Sequence, residues 1–431
     1  MDLLIARVDT GDTAWMLTAT ALVLMMTPAL GLFYAGLVRS KNTLNTFMMC
    51  IAAIAVALVT WAAVGYSFAF DTGNGIIGGF NYAFLHDVTF APREGSTIPH
   101  LVFFAFQATF CIITTALISG AVVERMRFGP FLIFAAVWSV LVYSVLAHWA
   151  FGPGWLFNHG TLDFAGGVPV EMGSGFSALA AALVVGARKD YGRQALLPHN
   201  AVYVLLGAGL LWFGWFGFNG GSGFGTGNPS VLAFTNTLLT PACTLLAWFA
   251  LDAIRGRQVT AIGAATAIIV GCVGITPAGG FVSPGYAMLL GVLVALPCYA
   301  VIVWRTRTGV DETLDVLAAH GVAGFTGILF IGFFAQLSWN GASDGLFYGD
   351  AGQLGWQALA AIAAPAYAFG MTYALLRVIG ALTPLRSTER EEALGMDVTY
   401  HGEEAYASGE GAILVTPEAG IEEPVPVADP G

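Results

Sequence analysis

The chain has 431 residues, of which 57% are hydrophobic and only 10% are charged, and its mean hydropathy is +0.75. Soluble proteins carry about 25% charged residues, so this composition excludes a soluble domain, a disordered scaffold and a nucleic-acid-binding protein. The net charge of −11 suggests an acidic surface, but the acidic residues crowd into positions 389–410 and 418–429. The part predicted to lie in a membrane is therefore closer to neutral.

Eleven long apolar runs are separated by polar or Gly/Pro-rich breaks. They cover residues 13–37, 44–67, 98–121, 130–150, 167–186, 199–217, 230–251, 260–276, 285–304, 314–337 and 355–380. A membrane-spanning helix needs about 20 mostly apolar residues. The sequence therefore predicts an all-α polytopic membrane protein with eleven transmembrane helices.

The basic residues predict which side of the membrane each loop faces. Fourteen of the 16 Lys and Arg residues fall in every second loop, and only Arg7 and Arg93 lie on the other side. Because basic residues in short loops mark the cytoplasmic side, we expect the N-terminus outside and the C-terminus in the cytoplasm. The N-terminus lacks the basic segment of a signal peptide, so we expect the first helix to stay in the mature protein.

The first ten helices can be divided into two units of five. An odd number of helices per unit gives the two units opposite orientations, an arrangement common in transporters. The fifth run is preceded by Asp163 and carries Glu171, while the tenth begins near Asp315 and carries His320. We therefore predict an inverted 5+5 repeat followed by an eleventh helix.

Ionisable residues inside the predicted spans are the strongest indication of function, because charges in a bilayer are costly and usually mark a transport path. The spans hold no deeply placed Lys or Arg, which favours a small cation or its neutral base over an anion. Glu171 lies about 12 Å along the fifth helix from Asp163. His320 lies about 7.5 Å along the tenth helix from Asp315. The two residues approach the bilayer centre from opposite faces.

A carboxylate hydrogen-bonded to an imidazole can share one proton, so Glu171 and His320 are candidates for a proton relay. The alternative for each residue alone is a buried group that bonds to a backbone carbonyl. Glycines follow both residues and would let the two helices cross closely. They are Gly173, Gly175, Gly321, Gly324 and Gly327.

Other polar and aromatic positions have simpler interpretations. Asp163 precedes an apolar helix and is compatible with a helix N-cap. Glu124 is interpreted as a salt-bridge residue at a cytoplasmic helix end, and His148 as an interfacial residue. Aromatic side chains before helix 5 and at the end of helix 6 fit an interfacial belt or a cation-π site.

Seven short segments are the basis of a family resemblance. They are 106–110 (FQATF), 120–128 (GAVVERMRF), 163–173 (DFAGGVPVEMG), 214–219 (GWFGFN), 274–278 (GITPA), 315–320 (DVLAAH) and 395–406 (GMDVTYHGEEAY). In their order along the chain, over about residues 13–407, they resemble the ammonium transporters of the Amt/Mep/Rh family.

This resemblance implies a homotrimer with one pore per subunit, resident in the cell (plasma or inner) membrane and carrying ammonium or ammonia. It also implies an outer aromatic vestibule, a phenylalanine gate and a hydrophobic pore, and no cofactor or metal. The matching vestibule positions are Asp163, Phe151, Trp215 and Ser222. The matching gate positions are Phe110 and Phe218, and the matching pore positions are Glu171 and His320.

Two positions depart from the family pattern. Glu171 stands where the first pore histidine is usual, as it does in some fungal members, so hydrogen bonding is kept while the charge changes. Phe151 stands where a vestibule tryptophan is usual, which weakens cation-π attraction because tryptophan offers the best ring face.

The sequence thus predicts electrogenic ammonium transport, in which ammonia crosses the pore while its proton passes through Glu171 and His320. The alternatives are an electroneutral ammonia channel and an ammonium sensor that signals through its tail. No recognisable output module follows residue 410, which argues against a fused sensor. We expect no enzyme, because this pair lacks a nucleophile or a third metal ligand. The five cysteines lie in apolar runs and are interpreted as packing residues.

Four regions follow from these predictions. Residues 1–12 form a short extracytoplasmic N-terminus and residues 13–380 form the transporter domain. Residues 381–410 form a cytoplasmic regulatory region. Its resemblance to the family's tail implies that the segment docks on the cytoplasmic face and that a PII-type protein is a candidate regulator. Residues 411–431 form an acidic, disordered tail.

Overall fold

The computed structural model describes residues 8–406 as a bundle of helices. Within this range, pairing of extended backbone is limited to isolated bridges such as that between Met126 and Arg386. Ten helices among the described residues are long and apolar enough to cross a membrane. The chain is therefore an all-α, multi-pass membrane protein, as the sequence predicts.

We number the main helices α1 to α11 in chain order. They are α1 Thr10–Leu37, α2 Ser40–Phe70, α3 His100–Val122, α4 Phe128–Asn158, α5 Gly167–Val185, α6 Ala201–Gly221, α7 Asn228–Ile254, α8 Ala261–Ile275, α9 Pro284–Arg305, α10 Leu317–Phe334 and α11 Ala351–Leu382. A turn at residues 151–154 interrupts α4. Two short helices follow, α12 Glu389–Leu394 and α13 Met396–His401.

Helix α8 differs from the other ten in length. It coincides with the predicted run 260–276 but has only 15 residues, fewer than the ~20 that a full crossing requires. The count of eleven crossings, the inverted repeat and the assignment of the two sides therefore stay predictions. The predicted tail 411–431 lies outside the described residues.

Close contact between backbones holds the bundle together. Helix α6 packs along α1, and a Cβ atom added at Gly207 would lie 2.6 Å from the backbone nitrogen of Phe33. No residue larger than glycine fits such a contact without moving a helix. In a membrane, where lipid removes most of the hydrophobic driving force, this close approach supplies the van der Waals packing that joins helices.

One end of the bundle, which we call the basic end, carries a buried network of ion pairs. The carboxylate of Glu124 contacts Arg39 Nε at 3.1 Å and Arg188 Nη1 at 2.6 Å. Arg188 also pairs with Asp311, Nε to Oδ2 at 2.8 Å. Burial by itself raises the pKa of Glu124, but the guanidiniums of Arg188 and Arg39 outweigh it and hold that pKa below its ordinary value. The structure thus places Glu124 in a salt-bridge network, in agreement with its interpretation from the sequence.

The segment after α11 packs against the basic end. The carboxylate of Asp397 accepts hydrogen bonds from the backbone N–H groups of Leu44 at 3.0 Å and Asn45 at 2.7 Å. The backbone N–H of Met396 donates to Asn42 Oδ1 at 2.9 Å. Asp397 therefore caps the first turn of α2, although it is some 350 residues away in sequence.

Candidate functional site

A cavity of about 410 Å³, which we call the outer cavity, lies at the end of the bundle opposite the basic end. It is formed where α2, α3, α4 and α6 meet the segment that leads into α5. Its wall includes the aromatic rings of Phe70, Phe103, Phe151, Phe164 and Phe224. A cation inside this cavity would face several rings, whose negative faces attract positive charge.

Oxygen atoms with free hydrogen-bonding capacity also line the outer cavity. Gln107 Oε1 and Thr161 Oγ1 are buried and have no hydrogen-bond partner among the described residues. The hydroxyl of Ser222 donates to the carbonyl of Phe218 at 2.8 Å, which leaves its oxygen lone pairs available. Buried acceptors of this kind are costly unless a donor reaches them. The cavity is therefore suited to a small cation that carries N–H groups.

Asp163 borders the same cavity, but its carboxylate oxygens are already engaged. They accept backbone N–H bonds from Gly166 at 2.9 Å, Gly167 at 2.7 Å and Val168 at 2.7 Å. The side chain thus caps the beginning of α5, where a carboxylate is favoured by the unpaired N–H groups. Its negative charge still contributes to the field inside the cavity.

The rings of Phe110 and Phe218 are stacked beneath the outer cavity. Their centroids are 4.0 Å apart and their planes differ by 20°, and both side chains are buried. One turn before Phe110, Gln107 lines the outer cavity, and one turn after it, Ile113 lines a second cavity. The stacked pair therefore separates two spaces.

The second space, which we call the inner cavity, has a volume of only about 20 Å³. A buried site needs roughly 10–15 Å³ of such volume to hold one water molecule. Its wall is largely aliphatic, and the other members are Phe33, Glu171, Trp215, Phe218 and His320. A single molecule of the size of water or ammonia fits there.

Glu171 and His320 meet in the inner cavity. Oε2 of Glu171 lies 2.8 Å from Nδ1 of His320, and Oε1 of Glu171 is buried without a partner among the described residues. Both side chains lie in π-helical turns that open their helices, Gly167–Met172 in α5 and Leu317–Val322 in α10. The structure brings together the two residues that were predicted from the sequence as candidates for a proton relay.

Glycine makes this meeting of α5 and α10 possible. A Cβ atom at Gly175 would lie 2.2 Å from the backbone nitrogen of Gly321, and one at Gly324 would lie 2.5 Å from Cβ of Glu171. The backbones therefore touch where the two polar side chains face each other, as the glycine pattern predicts.

A third cavity, of about 220 Å³, continues from His320 to the basic end. His320 lines both this basic-end cavity and the inner cavity. The ion pair of Arg305 with Asp315 also borders the basic-end cavity. The outer cavity, the stacked rings, the inner cavity and the basic-end cavity therefore follow one another through the bundle.

Two sequence interpretations differ from the structure. Trp215, expected in the vestibule, lines the inner cavity, and its Nε1–H donates to Thr276 Oγ1 at 2.9 Å. The reason is its position on α6: it precedes Phe218 by about one turn, whereas Ser222 follows Phe218 by one turn and faces the outer cavity. His148 is fully buried rather than interfacial, with its ring nitrogens near the carbonyls of Ala69 and Asn74.

Sequence analysis did not identify Gln107 and Thr161 as site residues. An amide between Phe106 and Phe110, inside an apolar run, is a signal that could have identified Gln107.

No group of three or more His, Cys, Asp or Glu side chains among residues 8–406 is arranged to hold a metal ion. All five cysteines are free thiols.

Comparisons with known proteins show which family the chain resembles in sequence and fold. The sequence model of the Ammonium Transporter Family matches residues 14–406. An ammonium transporter of Bacillus subtilis (strain 168) is 45% identical, over 92% of this chain and 98% of its own length. An ammonium transporter of Aquifex aeolicus is 42% identical, over 93% of this chain and 94% of its own length. The crystal structure of Saccharomyces cerevisiae Mep2 superimposes with a TM-score of 0.85 at 33% identity, covering 90% of both chains.

Proposed function

Because the chain belongs to the Ammonium Transporter Family, we propose that it moves ammonium across a cell membrane by separating ammonia from its proton. The main support for this proposal is the hydrogen-bonded pair of Glu171 and His320 in an inner cavity of about 20 Å³. Family membership confirms the resemblance seen in the sequence.

Ammonium is first captured in the outer cavity. The ion presents four N–H donors, and the cavity presents aromatic faces together with the oxygens of Gln107, Thr161 and Ser222. The charge of Asp163 adds electrostatic attraction while its carboxylate keeps the N-terminus of α5 in place. Phe151, in the wall of the same cavity, contributes a ring face without an indole N–H donor.

Deprotonation follows at the gate. The stacked rings of Phe110 and Phe218 leave no room for a hydrated ion, and the inner cavity beyond them has space for one small molecule. A mainly aliphatic pocket of this size favours neutral ammonia over ammonium, since an ion loses its hydration there. The proton passes to the pair of Glu171 and His320, and His320 then releases it into the basic-end cavity. Trp215 forms part of the wall along this path.

The same separation excludes potassium. The potassium ion is similar in size to ammonium but has no proton to lose, so it cannot cross the inner cavity as a neutral species. Selectivity then arises from chemistry at the gate rather than from the diameter of the pore.

We further propose that the protein is a homotrimer with one pore per subunit and that its N-terminus lies outside the cell. Family membership supports the trimer. The docked segment with α12 and α13 offers a surface at the basic end for a regulatory protein of the PII type, because Asp397 couples that segment to α2.

The direct test is electrical. Purified protein in liposomes, adsorbed to a solid-supported membrane, is pulsed with ammonium or with potassium at equal ionic strength. We expect a current with ammonium and none with potassium. Ammonium flux without current, measured with a pH dye inside the liposomes, would instead support an electroneutral channel. The absence of both current and flux would favour a sensor.

A further inference from the structure

Arg93 places a permanent positive charge in the wall of the outer cavity. Its Cζ atom lies 4.4 Å from the ring centroid of Phe103 and 5.4 Å from that of Phe70. Both rings belong to the same cavity wall. The guanidinium therefore makes a cation-π contact with two of the rings that an incoming ammonium ion would meet.

The charge of Arg93 is not neutralised by an ion pair. No carboxylate within residues 8–406 lies within 4.0 Å of its guanidinium, whereas Arg39, Arg188 and Arg305 at the basic end all have such partners. Asp163 lines the same cavity but directs its oxygens to the backbone of α5. Arg93 and Asp163 are thus the charged side chains in the wall of the outer cavity, and both are held in place.

A closed turn holds Arg93 in this place. The backbones of Pro92 and Pro99 form a bridge, and the N–H of Ser96 donates to the carbonyl of Arg93 at 3.0 Å. The turn ends directly before α3, the helix that carries Phe103. The guanidinium is therefore tethered at a short distance from the ring it covers.

We propose that Arg93 sets the affinity of the outer cavity by acting as a tethered competitor of ammonium. Its guanidinium occupies the ring faces of Phe103 and Phe70, which would otherwise bind ammonium. Its positive charge also repels the incoming ammonium ion. The inference rests on the proposed function, since it concerns the capture step. It makes Arg93 an affinity-setting residue that raises the KM and leaves the maximal transport rate unchanged.

The test compares Arg93→Gln, Arg93→Lys and the wild type in the liposome assay, with ammonium concentration varied at low and at high ionic strength. Arg307→Gln is the matched control, because Arg307 is exposed at the other end of the bundle. We expect a KM about three- to tenfold lower in Arg93→Gln at low salt, with an unchanged maximal current. Arg93→Lys keeps the charge and should stay near the wild-type KM, as should Arg307→Gln.

The dependence of the KM on salt distinguishes an electrostatic role of Arg93 from a purely structural one. Because the Debye length falls from ~30 Å at 0.01 M to ~8 Å at 0.15 M, the KM difference between wild type and Arg93→Gln should shrink as salt is added. Arg93→Met, which keeps the apolar stem, replaces Arg93→Gln if that variant fails to fold.

An unchanged or higher KM in a stably folded Arg93→Gln would overturn the inference, and so would an Arg93→Lys variant that behaves like Arg93→Gln. Either result is distinct from failure of the proposed function, in which the wild type itself gives no ammonium current.

Discussion

Glu171 and His320 lie on different helices, yet Oε2 of Glu171 and Nδ1 of His320 are 2.8 Å apart in a cavity with room for one small molecule. A carboxylic acid and an imidazole at this distance can exchange one proton along their hydrogen bond. The second oxygen of Glu171 faces no partner among the described residues. The pair therefore has the free acceptor and the hydrogen bond that the proposed relay requires.

Replacing Glu171 tests this relay. In Glu171→Gln the shape and one hydrogen bond are kept but the proton-carrying carboxylate is lost, so we expect the ammonium-dependent current to fall roughly 100-fold, as for loss of a positioned acid-base group. Peak current on the solid-supported membrane is the measurement. Glu171→His restores a titrating group and should conduct measurably. Wild-type currents in a correctly folded Glu171→Gln would refute the relay.

Removing one ring of the gate should change ion selectivity. In Phe218→Ala the outer and inner cavities merge, because the ring that stacks on Phe110 is gone. We expect a potassium current to appear that the wild type lacks, measured by potassium pulses in the same assay. Phe216→Ala is the matched control, since Phe216 packs on Phe234 away from the gate. A variant at Phe218 that still excludes potassium would show that the rings are not the barrier.

The crossing of α5 and α10 should tolerate no side chain at Gly175. In Gly175→Ala the new Cβ would lie 2.2 Å from the nitrogen of Gly321, so the helices must separate at a cost of about 1–3 kcal/mol. The midpoint of thermal unfolding in detergent should fall, and the ammonium current should fall with it as the relay distance grows. Gly370→Ala in α11 is the control, because a Cβ there meets nothing within 4 Å. Equal stability of the two variants would contradict the prediction.

The relay pair and the helical runs could be predicted because charges are scarce in this chain. When only 10% of the residues are charged, a carboxylate inside an apolar run stands out, and the burial cost indicates that it has a partner. The same reasoning identified Glu124, which the structure places between Arg39 and Arg188.

Positions that depend on depth could not be predicted in the same way. Trp215 lies on α6 and Ser222 directly follows that helix, seven residues later. The stacked rings of Phe110 and Phe218 lie between their levels, so Trp215 faces the inner cavity and Ser222 faces the outer cavity. Gln107 can be identified as a site residue only from the outer cavity beside it, which the sequence does not show. Arg93 lies in a loop, and no helical periodicity relates that loop to Phe103.

The ion-pair network at Glu124 should make the free energy of unfolding depend on pH. Because its folded pKa is lowered by Arg188 and Arg39, its contribution is complete above the unfolded pKa of about 4.3 and is lost as the pH falls through the lower folded value. Glu124→Gln should cost about 3–5 kcal/mol at pH 7, since two guanidiniums lose their buried partner. Thermal unfolding of both proteins between pH 7 and pH 3 is the measurement, and the difference should narrow towards pH 3. A constant difference would contradict this assignment.

The cap that Asp397 provides to α2 should hold the tail in place. Asp397→Ala removes two hydrogen bonds to the N-terminus of α2, at a cost of about 1 kcal/mol. We expect faster cleavage between α11 and α13 in limited proteolysis. Glu403→Ala, at an exposed position, should be cleaved at the wild-type rate. Equal cleavage of both variants would show that other contacts fix the tail.

The π-helical turns at Gly167–Met172 and Leu317–Val322 give α5 and α10 a spare residue each. A π turn bonds i to i+5, one residue more than an α turn, and each residue of an α-helix turns the chain by about 100°. Deleting one residue from either turn would allow an ordinary helix to form, and the side chains that remain in the turn would change their direction around the helix axis. The direction of Glu171 or of His320 in the inner cavity can therefore be altered by a one-residue change in length, without any substitution.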